Sequence, residues 1–446
     1  MTTLYNYINK KSKIETLVSF RIIFALMMLY STIRFISMGW VYEFYVKPAF
    51  HFKYYGFSWL NKLPEQAMYT VFFFMLLSCL GILFGCFYRI SAVVFFLTFT
   101  YVELLDQSNY LNHYYFVSLM ASIMIFLPAH KSFSLDVKYA WVKELKEIPN
   151  FYVLLPKFQL ALVYIFAGIA KLNYDWLIQA QPLKIWLPAH SHLPLIGSFL
   201  NYEIVAYLFS WFGAFYDLFI VFFLINSRTR PYAYFFVVLF HVLTRVLFPI
   251  GVFPYIMIMS TLIFFSENFH VRIINTLKSF FKSNFSQQVE ITPVSYVNIR
   301  LYAFFLLFFM LQIILPFRYL AYPGKLFWTE QGYRFSWRVM LMEKAGTAFF
   351  YVEDSKTKKR IEVDNKDFLT KNQEKMMATQ ADMILQYAHY LGEHYKSKGF
   401  NHPKVFVESY VNLNGKGSQL YIDSTIDLMK VEDSFQNKEW ILNYEN

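Results

Sequence analysis

Apolar residues in this chain come in long uninterrupted blocks. Windows 17–38, 66–86, 90–104, 111–128, 158–179, 204–225, 231–248, 250–265 and 300–316 are dominated by Leu, Ile, Val, Phe and Met. A helix rises ~1.5 Å per residue, so about 20 such residues match the ~30 Å of hydrocarbon in a bilayer. Hydrocarbon tolerates no unpaired backbone polar groups, which makes each block a helix. The expected fold is mainly α, with about nine transmembrane helices and a polar tail. A content of 57% hydrophobic and only 16% charged residues agrees with this and disfavours a water-soluble fold. The first block carries Arg21 and Arg34 and lacks a small-residue cleavage site, so it is not read as a cleavable signal peptide.

Charge orients the helices. Numbered from a cytoplasmic amino terminus, the inner connectors (1–16, 87–89, 129–157, 226–230, 266–300) hold 15 Lys and Arg. The outer ones (39–65, 105–110, 180–203) hold 4. Basic residues resist translocation, so the count supports this orientation and places the carboxyl-terminal region outside the cytoplasm. Residues 326–446 contain 16 basic and 17 acidic side chains, so the net charge of +11 resides in the membrane part. It reflects topology, and no nucleic-acid partner is expected.

The chain divides near residue 325 into a membrane region, 1–325, and a small extracytoplasmic α+β domain, 326–446. "HFKYYGFSWL" (51–60) is too polar to span and rich in Tyr and Trp, which favour the headgroup level; it reads as an interfacial or re-entrant segment. "LPFRYLAYPGKLFW" (315–328) reads as an exit linker whose Pro and Gly break the last helix. "TAFFYVE" and "KRIEV" read as paired strands, 373–396 as a helix, and "KVFVESYV" and "SQLYID" as a second hairpin around "NLNGKG". Cys79 and Cys86 are spaced two turns apart on the second span, too far for a bridge. No Cys/His cluster has metal-ligand spacing, and no metal is expected.

Charged residues inside the blocks each need a reason, since one at mid-bilayer costs roughly 2.5–3.5 kcal/mol. Arg21 and Arg34 lie near opposite ends of the first span, from which both can snorkel. Asp217 lies mid-span and must pair or face a cavity; Arg245, beside His241 in "LFHVLTRVLF", is a plausible partner. Lys171 closes "LALVYIFAGIAK" with no acidic residue within three positions; Asp175 is the nearest. Asn112 and His113 open the fourth span at the same outer height. An amine kept from water and from a counter-ion can shed its proton and act as a base, which points to a proton-transfer site at the outer boundary.

Several stretches occur in an order that resembles the vitamin K-dependent gamma-glutamyl carboxylases: "GCFYRIS" (85–91), "LLDQSNYLNHYY" (104–115), "VYIFAGIAKLNYDWL" (163–177), "FHVLTRVLFPIGVFPY" (240–255) and "GYRFSWRVML" (332–341). "ADMILQYAHYL" and "NLNGKGSQLYID" in the tail are similar too. The resemblance implies a multi-pass membrane enzyme in which vitamin K hydroquinone, or menaquinol, reacts with O₂ to become an epoxide. The base formed on the way removes a γ-proton from a peptide glutamate, which then takes up CO₂. That proton is far too weakly acidic for a side chain near neutral pH, so a strong base must arise where water cannot quench it.

By the same resemblance Lys171, in "AGIAKL", is the base that deprotonates the quinol, and Asn112 and His113 stand at a quinone oxygen. Tyr164, Phe253 and Met257 line the quinone pocket, with His241 in support. Tyr333, Ser336 and Trp337 match the stretch that holds the glutamate-bearing peptide. Arg338 matches no basic residue of the animal enzymes; it is a candidate for the glutamate carboxylate because guanidinium binds carboxylates bidentately. The implied partners are a glutamate-containing peptide or protein, the quinol and membrane lipid. The animal enzymes run well beyond residue 446, where part of the chain holds a propeptide. They also link their two domains by a disulfide that Cys79 and Cys86 cannot supply. Two other readings stand: a quinol epoxidase that carboxylates nothing, and a non-enzymatic transporter or quinone sensor using Asp217, His241 and Arg245 as a relay.

Overall fold

A computed structural model describes residues 2–280 and 297–445. Among the described residues, six helical runs are long and apolar enough to cross a membrane: α1 (Glu15–Ser37), α2 (Glu65–Phe84), α3 (Tyr88–Leu105), α5 (Asn150–Lys171), α6 (Glu203–Ile225) and α10 (Ile299–Ala321). The other expected spans are helical but fall short. Between α3 and α5, α4 (Asn112–Phe126) has 15 residues, a rise of ~22 Å. After α6, α7 (Arg230–Leu247) carries Arg230, His241 and Arg245. The next, α8 (Phe253–Thr261), has nine residues followed by a 3₁₀ turn. Among the described residues, six of the nine expected spans thus meet both length and composition. The connector 266–300 begins with α9 (Glu267–Phe280); its residues 281–296 lie outside the described residues.

Helix ends also differ from the expected windows. The fifth helix starts at Asn150 and stops at Lys171, eight residues before the expected 179. Asn173 starts a separate turn, its side chain accepting from the Trp176 N–H. Cys79 is buried in α2, while Cys86 lies past that helix's end. Gly85 ends α2 with φ +59, and a Cβ there would meet the Arg21 guanidinium at 2.4 Å. Arg21 does not snorkel. It is buried and donates to the carbonyls of Ala129 (3.0 Å) and Phe133 (2.7 Å), just past the carboxyl end of α4, where free carbonyls favour a cation.

The connectors sort to two ends. At one end β1 (Lys11–Lys13) pairs antiparallel with β2 (Glu147–Pro149), and Asp136 accepts from the N–H groups of Phe87 and Tyr88. These contacts join three of the connectors rich in basic residues. At the other end, connectors 47–62, 106–110 and 173–202 meet the carboxyl-terminal region. Gln386 exchanges two 2.8 Å hydrogen bonds with the Lys53 backbone, and Gln373 donates to the Phe50 carbonyl (2.7 Å) and to Asp106 (2.9 Å). The segment expected at the headgroups is thus also a docking strip for the tail.

That tail holds an antiparallel sheet of β3 (Lys344–Glu353), β4 (Arg360–Val363), β5 (Lys404–Leu413) and β6 (Ser418–Leu420) in the order β4-β3-β5-β6. Both expected hairpins form. The expected single helix is two, α11 (Lys371–Met377) and α12 (Ala381–Ser397), the first closed by a Thr370–Gln373 capping box. Phe350, Val352, Val405 and Val407 alternate inward and bury against Ile384, Leu385, Ala388 and Leu391. Pro316 does not end the last span but enters a 3₁₀ run, Leu315–Ala321; the break comes at Gly324.

Arg334 anchors the linker to the start of α12 through Asp382, 2.5 Å away. Burial alone would raise the Asp382 carboxyl, but the Arg334 charge and hydrogen bond hold it below the ordinary carboxylate range. A depressed carboxyl stabilises the fold above its unfolded value of ~3.9 and stops doing so as pH falls through its lower native value. Acid unfolding of the tail, followed by tryptophan fluorescence, is expected to set in below about pH 4. Asp382→Asn should lower stability at pH 7 and weaken that acid dependence.

Candidate functional site

The site begins where α5 and α6 cross. Gly168 faces α6 so closely that a Cβ there would lie 2.6 Å from the Leu218 backbone nitrogen. This contact brings Asp217 beside Lys171 one turn further along α5. The Lys171 Nζ donates to Asp217 Oδ2 at 2.6 Å and to the Ala167 carbonyl at 3.4 Å, with the Trp176 ring 5.5 Å away. Both side chains are only 7% exposed. The expectation of an amine without a counter-ion is therefore wrong. So is the expected Asp217–Arg245 pair, because Arg245 is exposed on the outer surface of α7.

Lys171 and Asp217 line a cavity of about 90 Å³ with Tyr164, His241, Phe253 and Met257. The four residues expected around the quinone thus surround the lysine. The Tyr164 hydroxyl lies 3.1 Å from Thr261 Oγ1 and 3.4 Å from His241 Nε2. His241 Nδ1 is buried without a hydrogen-bond partner among the described residues. His113 stands behind this wall, its ring 5.6 Å from that of Phe253, and is not part of the lining.

Asn112 lies elsewhere. Its Oδ1 accepts from the Tyr110 hydroxyl (3.0 Å) and its Nδ2 donates to the Arg338 carbonyl (2.9 Å). The Tyr110 oxygen in turn accepts from the Phe335 N–H at 2.8 Å. These bonds staple segment 335–338 to the start of α4. That segment needs fixing: Phe335, Trp337 and nearby Met340 all have φ between +54 and +60, strained for residues with a Cβ.

A second cavity, of about 790 Å³, opens at the outer end and is lined by Asp175, Tyr319, Lys325, Ser336, Arg338 and Lys416, among others. Of the four residues expected to hold a peptide, Ser336 and Arg338 line it. Tyr333 packs toward Phe327 (6.3 Å), and Trp337 is buried against Tyr115 (4.9 Å). The wall between the cavities is thin. Ala170 lines the outer one and Lys171 the inner; Arg338 lines the outer and Val339 the inner. Sequence reasoning missed Lys325 and Lys416, which the tail's chain path brings to the site, and noted Asp175 only as the acid nearest Lys171 along the chain.

Removing one member of a buried ion pair leaves the other charge uncompensated, typically a loss of ~3–5 kcal/mol. Asp217→Asn is therefore expected to destabilise the protein by about that amount. Lys171→Met combined with Asp217→Leu should lose much less than the sum of the single changes. Thermal melts of the four proteins in one detergent check this.

Residues 9–269, more than half of the chain, match the family model of the HTTM domain. Residues 297–446 match that of the vitamin K-dependent gamma-carboxylase, lumenal domain. No solved structure matches the chain. The two matches follow one another in the order in which the sequence motifs appear, and the chain belongs to the vitamin K-dependent gamma-glutamyl carboxylase family.

Proposed function

We propose that this protein couples oxidation of a vitamin K-type hydroquinone by O₂ to addition of CO₂ at the γ-carbon of a peptide glutamate. The observation that carries this reading is the thin wall, with an aromatic cavity holding the Lys171–Asp217 pair on one side and a cation-lined cavity on the other. The inner cavity suits the quinol in chemistry: an aromatic lining, a proton acceptor, and the unpartnered His241 Nδ1 ready for a hydroxyl. A water occupies ~30 Å³ of liquid, so 90 Å³ admits a ring system only as the lining side chains move apart. When bound, the hydroquinone supplies on reaction with O₂ a base strong enough for the glutamate γ C–H.

The chain's own part is proton handling and exclusion of water. Lys171 can pass a proton to Asp217 across 2.6 Å and take one from a quinol hydroxyl. Tyr164, Phe253 and Met257 keep this exchange away from bulk water. In the outer cavity, Arg338 receives the glutamate carboxylate while Asn112, through the Arg338 carbonyl, fixes the segment between the cavities. His113 supports the ring of Phe253 from behind.

The same reading divides the chain at residue 325, with 326–446 outside the cytoplasm and the amino terminus inside. Placement of the shorter helices supports nine crossings. The start of α4 bonds the Arg338 carbonyl and its far end leads to Ala129 at the opposite face. Arg230 at the start of α7 donates to Leu224, and α9, following α8, packs on α1 and β1.

The test uses purified protein in detergent with reduced vitamin K, O₂, labelled CO₂ and a glutamyl peptide, scoring epoxide and fixed label separately. Wild type should yield both. Lys171→Ala should lose both by at least ~100-fold, the usual scale of a proton-transfer group. Epoxide without label selects the epoxidase, and full activity in Lys171→Ala overturns the assignment of the base.

A further inference from the structure

The outer cavity carries more positive charge than one carboxylate can balance. Arg338 is 8% exposed and forms no ion pair among the described residues; its guanidinium lies 4.4 Å over the Tyr319 ring, and its Nε has no hydrogen-bond partner there. Lys325 and Lys416 share a single acid: their ammonium groups lie 3.1 and 3.7 Å from the two oxygens of the buried Asp175. Asn414 donates to that carboxylate as well, at 3.2 Å. Three cations and one anion therefore line one cavity, leaving two positive charges over. The excess has two poles, the unpaired guanidinium and the lysine pair around Asp175. Salt screens the buried Arg338 and Asp175 only weakly, so such an imbalance selects its ligand by charge.

We propose that this cavity binds a geminal dicarboxylate, the malonate-type side chain that carboxylation leaves on glutamate. Arg338 holds one carboxylate, and the Lys325–Asp175–Lys416 group attracts the other. A glutamate side chain, with one carboxylate, satisfies the guanidinium and leaves the lysine pole in excess. A γ-carboxyglutamate side chain, with two, balances both. The site thus favours product over substrate, and a dicarboxylate competes with the peptide. The choice of ligand rests on the carboxylase reading; the charge imbalance does not.

Binding can be measured without quinol, O₂ or CO₂, which separates this inference from the reaction. Isothermal titration of the full chain in detergent, with N-acetyl-glutamate amide and N-acetyl-γ-carboxyglutamate amide, reads the preference directly. The dicarboxylate should bind at least ~10-fold tighter, about one charge-assisted contact's difference. Arg338→Met should weaken both ligands. Lys416→Met, a change in the exposed β5–β6 turn, should bring the two affinities together. Equal affinities in the wild type, or an unchanged ratio in a Lys416→Met protein that melts like wild type, overturn the proposal. Dicarboxylate preference in a protein that fixes no label would sustain this inference and end the carboxylase reading.

Discussion

An ammonium and a carboxylate cannot stand separately in hydrocarbon, and the contact between Lys171 and Asp217 is where this molecule meets that constraint. The pair costs desolvation that its attraction offsets only with good geometry. That geometry comes from Gly168, whose missing side chain lets α6 lie against α5. The cavity beside the pair follows from the same crossing. Aromatic side chains of α5, α6, α7 and α8 line that space.

Around this contact the chain sorts its polar material to the two ends. The end formed by β1, β2 and the Gly85 turn is built on backbone hydrogen bonds and on Arg21, which satisfies carbonyls beyond α4. The opposite end is closed by the tail. Phe52, Leu183, Leu187 and Trp328 belong to the same buried cluster as the sheet, so the tail's core continues into the connectors. Lys325 and Lys416, one in the linker and one in a hairpin turn, meet at Asp175 just past α5. The outer cavity exists because the tail docks there.

Segment 335–340 is where the two halves exchange structure. Its left-handed residues are held by Tyr110 and Asn112, and consecutive residues face different cavities. Backbone strain of this kind persists only where surrounding contacts over-determine it. Asn112 does so from the start of α4, through a carbonyl, with no place in the inner cavity's lining.

Much of this was legible in the residues alone. Hydropathy and helical or strand period are properties of contiguous stretches, so the six long spans, both tail hairpins and the placement of Lys171 at a helix end could be read directly. The grouping of the connectors followed from charge. The motifs also drew Tyr164, His241, Phe253 and Met257 toward one place, and the structure sets them around one cavity. Tertiary structure alone decided which acid neutralises Lys171, since Asp217 is 46 residues away along the chain and had Arg245 as its expected partner. It also decided that Asn112 holds the Arg338 carbonyl and that Lys325 and Lys416 meet at Asp175. The reason is physical: a partner across a helix crossing is chosen by how closely two backbones approach, and that distance is written in no local pattern.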